Sequence, residues 1–368
     1  MVSYIIRRTF QAFPVMLMIA IVSFTLMMMA PGGPQGQFNQ NPRITGEQIE
    51  RYLARWCLQR NPDAAGMVRT FGGWTGVYNC DTESFLSEQG MPNFLPSALG
   101  GGDNGLLHLD FGDSMIVSPN AAVLDLIVER LPATIILMLT AFLIWVGLAI
   151  VLGVIAAVRR YSVFDQSVTL MSYILYSLPT FWLGLMLIYI FAVNLGIFPA
   201  QGIVSPRESP PFNTARFWQA FQADPVFHIG DIAQHLVLPV ITLVAVSVAA
   251  DTRYVRSAML DVLGQDFVRT AKAKGLPART VVFRHAFRNA LLPIITNVAL
   301  ALAFLFSGAI VTETIFAWPG MGRLYFDAIT ARDYYLVMGI LFVSATLVVI
   351  MNLVADVVYA WADPRIRY

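Results

Sequence analysis

Six stretches of this chain run for roughly the thickness of a bilayer's hydrocarbon core with at most one charged side chain apiece, and no other feature limits the fold as strongly. Hydrocarbon offers no partner to a backbone N–H or C=O, so such stretches cross it as helices that pair those groups internally. They cover residues 9–30, 131–158, 168–198, 232–250, 291–315 and 335–361. The expected fold is an all-α integral membrane protein of six transmembrane helices. Composition agrees, since 57% of residues are hydrophobic and only 13% charged, the reverse of a water-soluble domain's balance. The first stretch follows Arg7 and Arg8 as a signal peptide's would, but exceeds the roughly 7 to 15 apolar residues of that element and is read as a span. It stops at Pro31-Gly32-Gly33-Pro34, which cannot continue a helix.

The placement of basic residues orients the spans. With both termini in the cytoplasm, the inside segments carry 14 of the 24 lysines and arginines, and the short loops that decide orientation agree. Residues 1–30 then form an N-terminal segment with the first span, 31–130 an extended extracytoplasmic lobe, and 131–368 a core of five spans that includes a cytoplasmic loop, 253–290. The lobe holds six basic and eleven acidic residues and is too long for a simple connection, so it folds partly by itself. Its segment from Thr45, TGEQIERYLARW, has the pattern of a capped amphipathic helix. Cys57 and Cys80 both fall in the lobe, where an oxidising compartment favours a disulfide, with two unpaired thiols as the alternative. Neither these cysteines nor the scattered His108, His228, His235 and His285 show ligand spacing, so no metal site is expected. Met16, Met18 and Met27 to Met29 are read as packing residues and not as a soft-metal path.

The loop between the fourth and fifth spans is the most informative inside segment. From Arg253 to Arg288 it holds eight basic and two acidic residues, Asp261 and Asp266, too much charge to lie in hydrocarbon. Leu260, Leu263, Phe267 and Ala271 recur at helical spacing and predict one helix over 260–274. Gly275 suits the position just past its end and Pro277 the opening turn of the next helix, where Val281, Val282, Phe283, Phe287 and Leu291 repeat the apolar pattern. On these grounds the helix-turn-helix is either a surface element drawn to anionic lipid or a docking face for a soluble partner. Tethering to a membrane protein and a net charge of +1 argue against nucleic acid.

The string Arg269-Thr270-Ala271-Lys272-Ala273-Lys274-Gly275, preceded by Asp266 and Phe267, resembles the EAA loop of ABC importer permeases in the form typical of oligopeptide and dipeptide systems. Other strings resemble the B-type permease of that family in order: YIIRRTFQAFPVM, APGGP, LDFGDS, ERLPAT, SLPTFWLGL, FPAQG, RHAFRNALLP, ETIFAWPGMGRL, ARDYYLV and the terminal DPRIRY. Together they cover nearly the whole chain except about 35–105. Two departures stand out. Arg-Thr-Ala replaces the general Glu-Ala-Ala, as in peptide-type members, and the exported lobe is longer than usual.

The resemblance implies a non-catalytic subunit in a prokaryotic inner membrane, forming half of a pore for peptides or similar small solutes. Its partners would be a second, related permease, two cytoplasmic ATPases that bind ATP and magnesium, an external binding protein, and membrane lipid. Residues Asp266 to Gly275 would form the coupling helix that receives the ATPase stroke. This chain lacks a G-x-x-x-x-G-K-[ST] loop and holds no cofactor of its own in this reading. Pro179 and Pro239 interrupt the third and fourth spans, and with Phe181 and Trp182 they are candidates for the pathway lining. Asp251, Glu313 and Asp356 lie at or near segment ends and are assigned structural hydrogen bonds. The alternatives are an ion-driven secondary transporter, an intramembrane hydrolase, and the same architecture carrying nickel, opines or oligosaccharides. The first two lack the mid-membrane charges or the catalytic pair they require.

Overall fold

The computed structural model describes residues 2–29, 111–114, 116–303, 305 and 308–362. Most of the expected lobe, including Cys57, Cys80 and the helix from Thr45, lies outside the described residues, as do the terminal DPRIRY and the Asp356 side chain. The described residues are almost wholly helical and pack as two compact units. One unit comprises Met1–Phe10, Arg130–Arg323 and Leu347–Tyr368; the other comprises Gln11–Glu129 and Leu324–Thr346.

Among the described residues three helices are long and apolar enough to cross a membrane by themselves: α2 (Val123–Val158), α6 (Pro225–Leu263) and α12 (Tyr334–Ala362, apolar over Tyr334–Ala355). Helix α1 (Val2–Met29) carries a shorter apolar run, Phe10–Thr25. The sequence predicts a third span over 168–198 that Pro179 interrupts. There α3 (Val163–Ser177) and α4 (Thr180–Leu187), the latter continued by a wider π-helical stretch (Ile188–Asn194), meet at 97° and together make a fourth candidate span. The cause is local: Leu178 and Pro179 are both extended, at ψ 129 and 128, and the proline has no N–H to donate into the preceding turn.

The expected fourth span is not interrupted. Helix α6 passes through Pro239 and is 39 residues long, because Asp224 caps its start, accepting from Phe227 N at 3.1 Å, with Pro225 in the first turn. A nine-residue helix, α5 (Ala215–Ala223), precedes it. The expected fifth span is divided into α9 (Arg288–Ala303) and the short α10 (Ile310–Ile315), with Gly308 between them at φ +76. Between α6 and α9 lie α7 (Asp266–Ala273) and α8 (Ala278–Thr280), which runs into α9 through a π-helical stretch, Val281–Phe287. Helix α11 (Met321–Ala331) precedes α12.

Among the described residues the first unit has two apolar centres. Leu137, Phe142, Trp145, Phe217 and Trp318 occupy one; Val154, Val255, Met259, Val281 and Ile294 occupy the other, next to α7. In the second unit a short hairpin, β1 (Asp113–Ser114) with β2 (Ala121–Ala122), is held to the turn before α12 by Asp333. The Asp333 carboxylate accepts from Ser114 Oγ (2.7 Å), Ile116 N (3.1 Å) and Val117 N (3.3 Å), so the strings LDFGDS and ARDYYLV meet there.

Candidate functional site

Helix α7 is short because both of its ends are specified. The long α6 stops at Leu263, where the Gly264 N–H bonds back to Leu260 O and Gln265 turns extended, so residues 260–274 are two helices and not the single one predicted. At the other end Gly275 N–H donates to Lys272 O (2.9 Å) and Leu276 N–H to Ala271 O (3.4 Å), the paired closure of a Schellman motif. Gly275 supplies the left-handed residue this closure needs, at φ +74. A Cβ there would meet nothing within 4 Å, so the constraint is torsional and involves no close approach.

Only two side chains fasten α7 to the membrane helices. Val268 is fully buried and Ala271 is 5% exposed, both in the apolar centre with Met259, Val281, Ala286 and Ala290. Thus GQDFVRTAKAKG packs directly on RHAFRNALLP. Of the predicted stripe, Leu260 and Leu263 are half-buried on α6, and Phe267 is 43% exposed. Val268, which the three-to-four spacing skipped, takes the buried place because the break at Gly264 resets the helical phase. Asp266, Phe267, Arg269, Thr270, Lys272, Ala273, Lys274 and Gly275 are all exposed. The Arg269–Asp266 contact, at 3.5 Å in open water, adds little stability. The site is therefore a cationic, solvent-facing helix seated on a small apolar foot.

What carries α7 is itself locked. Arg256, near the end of α6, grips Asp165 of α3 through two bonds, Nε–Oδ1 at 2.6 Å and NH2–Oδ2 at 2.8 Å. Asp165 also accepts from Tyr161 N (2.9 Å), while its own N–H donates to the N-cap Ser162 Oγ (3.2 Å), so the start of α3 is capped. Arg253 lies over the rings of Tyr173 and Tyr176, 5.0 Å from each centroid. Helix α2 also approaches α6 so closely that a Cβ on Gly153 would fall 2.7 Å from Val255 Cβ and 2.9 Å from Thr252 O. These contacts tie α2, α3 and α6 into one block above α7.

The four pathway candidates separate. Pro179, Phe181 and Trp182 are exposed at the α3–α4 bend, whereas Pro239 is buried within α6. The bend leans on α10, where Gly184 admits the Phe316 ring at the distance of a tight Cβ contact, 3.3 Å. Around Phe316 several sequence strings converge. Gly202 N of FPAQG donates to Phe316 O (2.8 Å), and Trp318 Nε1 donates to Ala133 O of ERLPAT (2.8 Å). Fully buried Glu313 accepts from Thr134 Oγ1 (3.1 Å), Ala309 N (3.3 Å) and Arg323 N (3.0 Å), while Thr134 Oγ1 accepts from Met321 N (2.7 Å). Glycines 308, 320 and 322 surround the carboxylate because a Cβ on any of them would press on it or on backbone. Asp251, by contrast, accepts from Asn297 Nδ2 at 3.0 Å.

A second polar cluster was not apparent from sequence. Asp231, His228 and His235 share one face of α6, and Asp231 accepts from Ser205 N (2.9 Å), Ser205 Oγ (2.7 Å) and Ser209 Oγ (2.9 Å). His235 Nδ1 lies 2.8 Å from Asp231 O, and Ser209 Oγ lies 3.2 Å from His228 Nδ1. The spacing of 228, 231 and 235 is the only sign in the sequence; the serines come from a distant loop.

The model of the family described as binding-protein-dependent transport system inner membrane component matches residues 149–368. Over its whole length the chain is 38% identical to the oligopeptide transport system permease protein AppB of Bacillus subtilis (strain 168), covering 100% of both. It is 34% identical to the di/tripeptide transport system permease protein DppB of Pseudomonas aeruginosa (strain UCBPP-PA14), covering 100% of this chain and 99% of that protein. With the dipeptide transport system permease protein DppB of Escherichia coli (strain K12) it shares 38% identity over 268 residues, 72% of this chain and 78% of that one.

Proposed function

We propose, from the premise that this chain belongs to the binding-protein-dependent transport system inner membrane component family, that it forms half of the translocation pore of a peptide importer and that α7 is its coupling helix. The chain is a multi-pass inner-membrane permease subunit of an ABC importer, and in this role it is non-catalytic. Peptides are the solute class because the relatives matched along the whole chain are named for oligopeptide and di- or tripeptide transport.

The observation that carries the coupling role is the construction of α7. It is exposed and cationic over Asp266 to Gly275, closed at both ends, and anchored by Val268 and Ala271 onto α6 and α9. A push on such a helix is delivered to the spans with little loss, because its foot is packed and its carrier is fixed by the Arg256–Asp165 pair. The push comes from two cytoplasmic ATPases that bind ATP and magnesium. A second permease completes the pore and an external binding protein delivers the solute. The excess of basic residues in the short loops supports an orientation with both termini in the cytoplasm and α7 on the ATPase side. The aromatic surface at Phe181 and Trp182 borders the pathway, while buried Pro239 shapes α6 from within.

The test is uptake by purified complex in sealed vesicles. Peptide accumulation that requires the ATPases, ATP and the binding protein is expected. Accumulation driven by an ion gradient with this chain alone would refute the reading.

A further inference from the structure

A hollow of about 510 Å³ opens beside α7, at the foot of α2 and α6. Its walls are mostly apolar, among them Val158, Leu263, Leu276 and Val282; two cations, Arg160 and Lys272, stand in it, and no lining residue is acidic. Val158 ends the apolar run of α2, whereas Leu263 ends α6 ten residues past Arg253, so the hollow lies just outside the hydrocarbon, on its charged side. Arg160 stacks on its neighbour Tyr161 at 4.5 Å, and both oxygens of nearby Asp165 are already committed to Arg256 and Tyr161 N. The exposed residues of α7 also divide: Lys272 lines the hollow, whereas Phe267, Arg269, Thr270 and Ala273 do not.

We infer that this hollow binds the headgroup of an anionic phospholipid, with Arg160 and Lys272 on its phosphate and the apolar walls on its glycerol and upper acyl carbons. The charge and the walls match the two halves of such a molecule, and a place just beyond the apolar runs of two spans is within reach of lipid headgroups. A carboxylate from a docking protein would satisfy the cations but leave the apolar walls uncovered, and the remaining exposed residues of α7 already offer a separate face for a protein. The inference requires only that α2 and α6 span the membrane; it does not rest on the coupling role of α7.

The experiment uses the complete complex reconstituted in phosphatidylcholine nanodiscs with or without phosphatidylglycerol, then extracted in mild detergent, with retained phospholipid identified by mass spectrometry. Preferential retention of phosphatidylglycerol is expected. The double variant R160Q/K272Q should lower that preference roughly tenfold or more, since each near-surface cation contributes to holding an anionic lipid. R160K/K272R should keep it, which separates loss of charge from loss of folding, and R269Q, which removes a positive charge away from the hollow, should also keep it. Equal retention of both lipids by the unmodified complex would overturn the inference. So would an equal loss in R269Q, or release of bound phosphatidylglycerol when the ATPases are added to the permease pair. ATP-dependent uptake that persists in phosphatidylcholine alone would leave the importer reading standing while the lipid site failed.

Discussion

Gly275 has free space on the side a Cβ would occupy, so any effect of replacing it comes from backbone torsion alone. A residue with a Cβ held at φ +74 costs about 1 to 2 kcal/mol, more when β-branched, and the strain is relieved by opening the closure on Lys272 and Ala271. Gly275→Val is therefore expected to leave the complex assembled and hydrolysing ATP, with fewer peptides imported per ATP; Gly275→Asn should lose less, since asparagine tolerates this region. The ratio of uptake to hydrolysis in vesicles checks it, and an unchanged ratio for the valine variant removes the torsional argument. Asp165 makes the opposite case, a side chain whose partners are the whole of its role. Asp165→Asn keeps the shape but loses the bidentate charge pair with Arg256, and destabilisation of about 3 kcal/mol is expected, read as a lower midpoint of thermal unfolding in detergent. Arg256→Lys should recover little, because an ammonium cannot reproduce the fork.

At the scale of elements, the breaks matter more than the helices. Proline was the sequence signal at both 179 and 239, yet only the first breaks its helix, because Leu178 beside it is extended while α6 packs on both sides of Pro239. Proline alone does not say which outcome occurs; the neighbours' ability to hold the helix does. The division of residues 291–315 was hidden for a related reason. Hydropathy runs through Gly308, and the turn is specified by Glu313 and the glycines that meet it, a pairing across ten residues of chain and across to Thr134. Gly320→Ala would press a methyl group onto the Glu313 carboxylate and Thr134 Oγ1, at a cost of about 1 to 3 kcal/mol and a loosened 316–323 loop. Faster proteolysis of that loop, with α7 unaffected, is the expected result. The buried position of Val268 was equally illegible, since the helical phase that selects it begins only after the break at Gly264.

For the molecule as a whole, the orientation assigned from basic residues predicts which surfaces face which compartment. With Cys57 and Cys80 replaced, a cysteine introduced by Thr270→Cys should react with a membrane-impermeant reagent only from the cytoplasmic side, and one introduced by Glu208→Cys only from outside; the reverse pattern would invert the topology. The sequence by itself determined that this chain lives in lipid, roughly where its spans run and that a basic loop lies outside the hydrocarbon, because hydropathy and charge act on each segment independently of its neighbours. Its ordered strings also pointed to the family. Tertiary structure alone decided which strings meet: RTAKAKG on RHAFRNALLP, ERLPAT on WPGMGR, LDFGDS on ARDYYLV. It also decided that Arg256 finds Asp165. Each of these rests on a contact between separate segments of the chain, whose partner no local pattern of size, charge or spacing identifies.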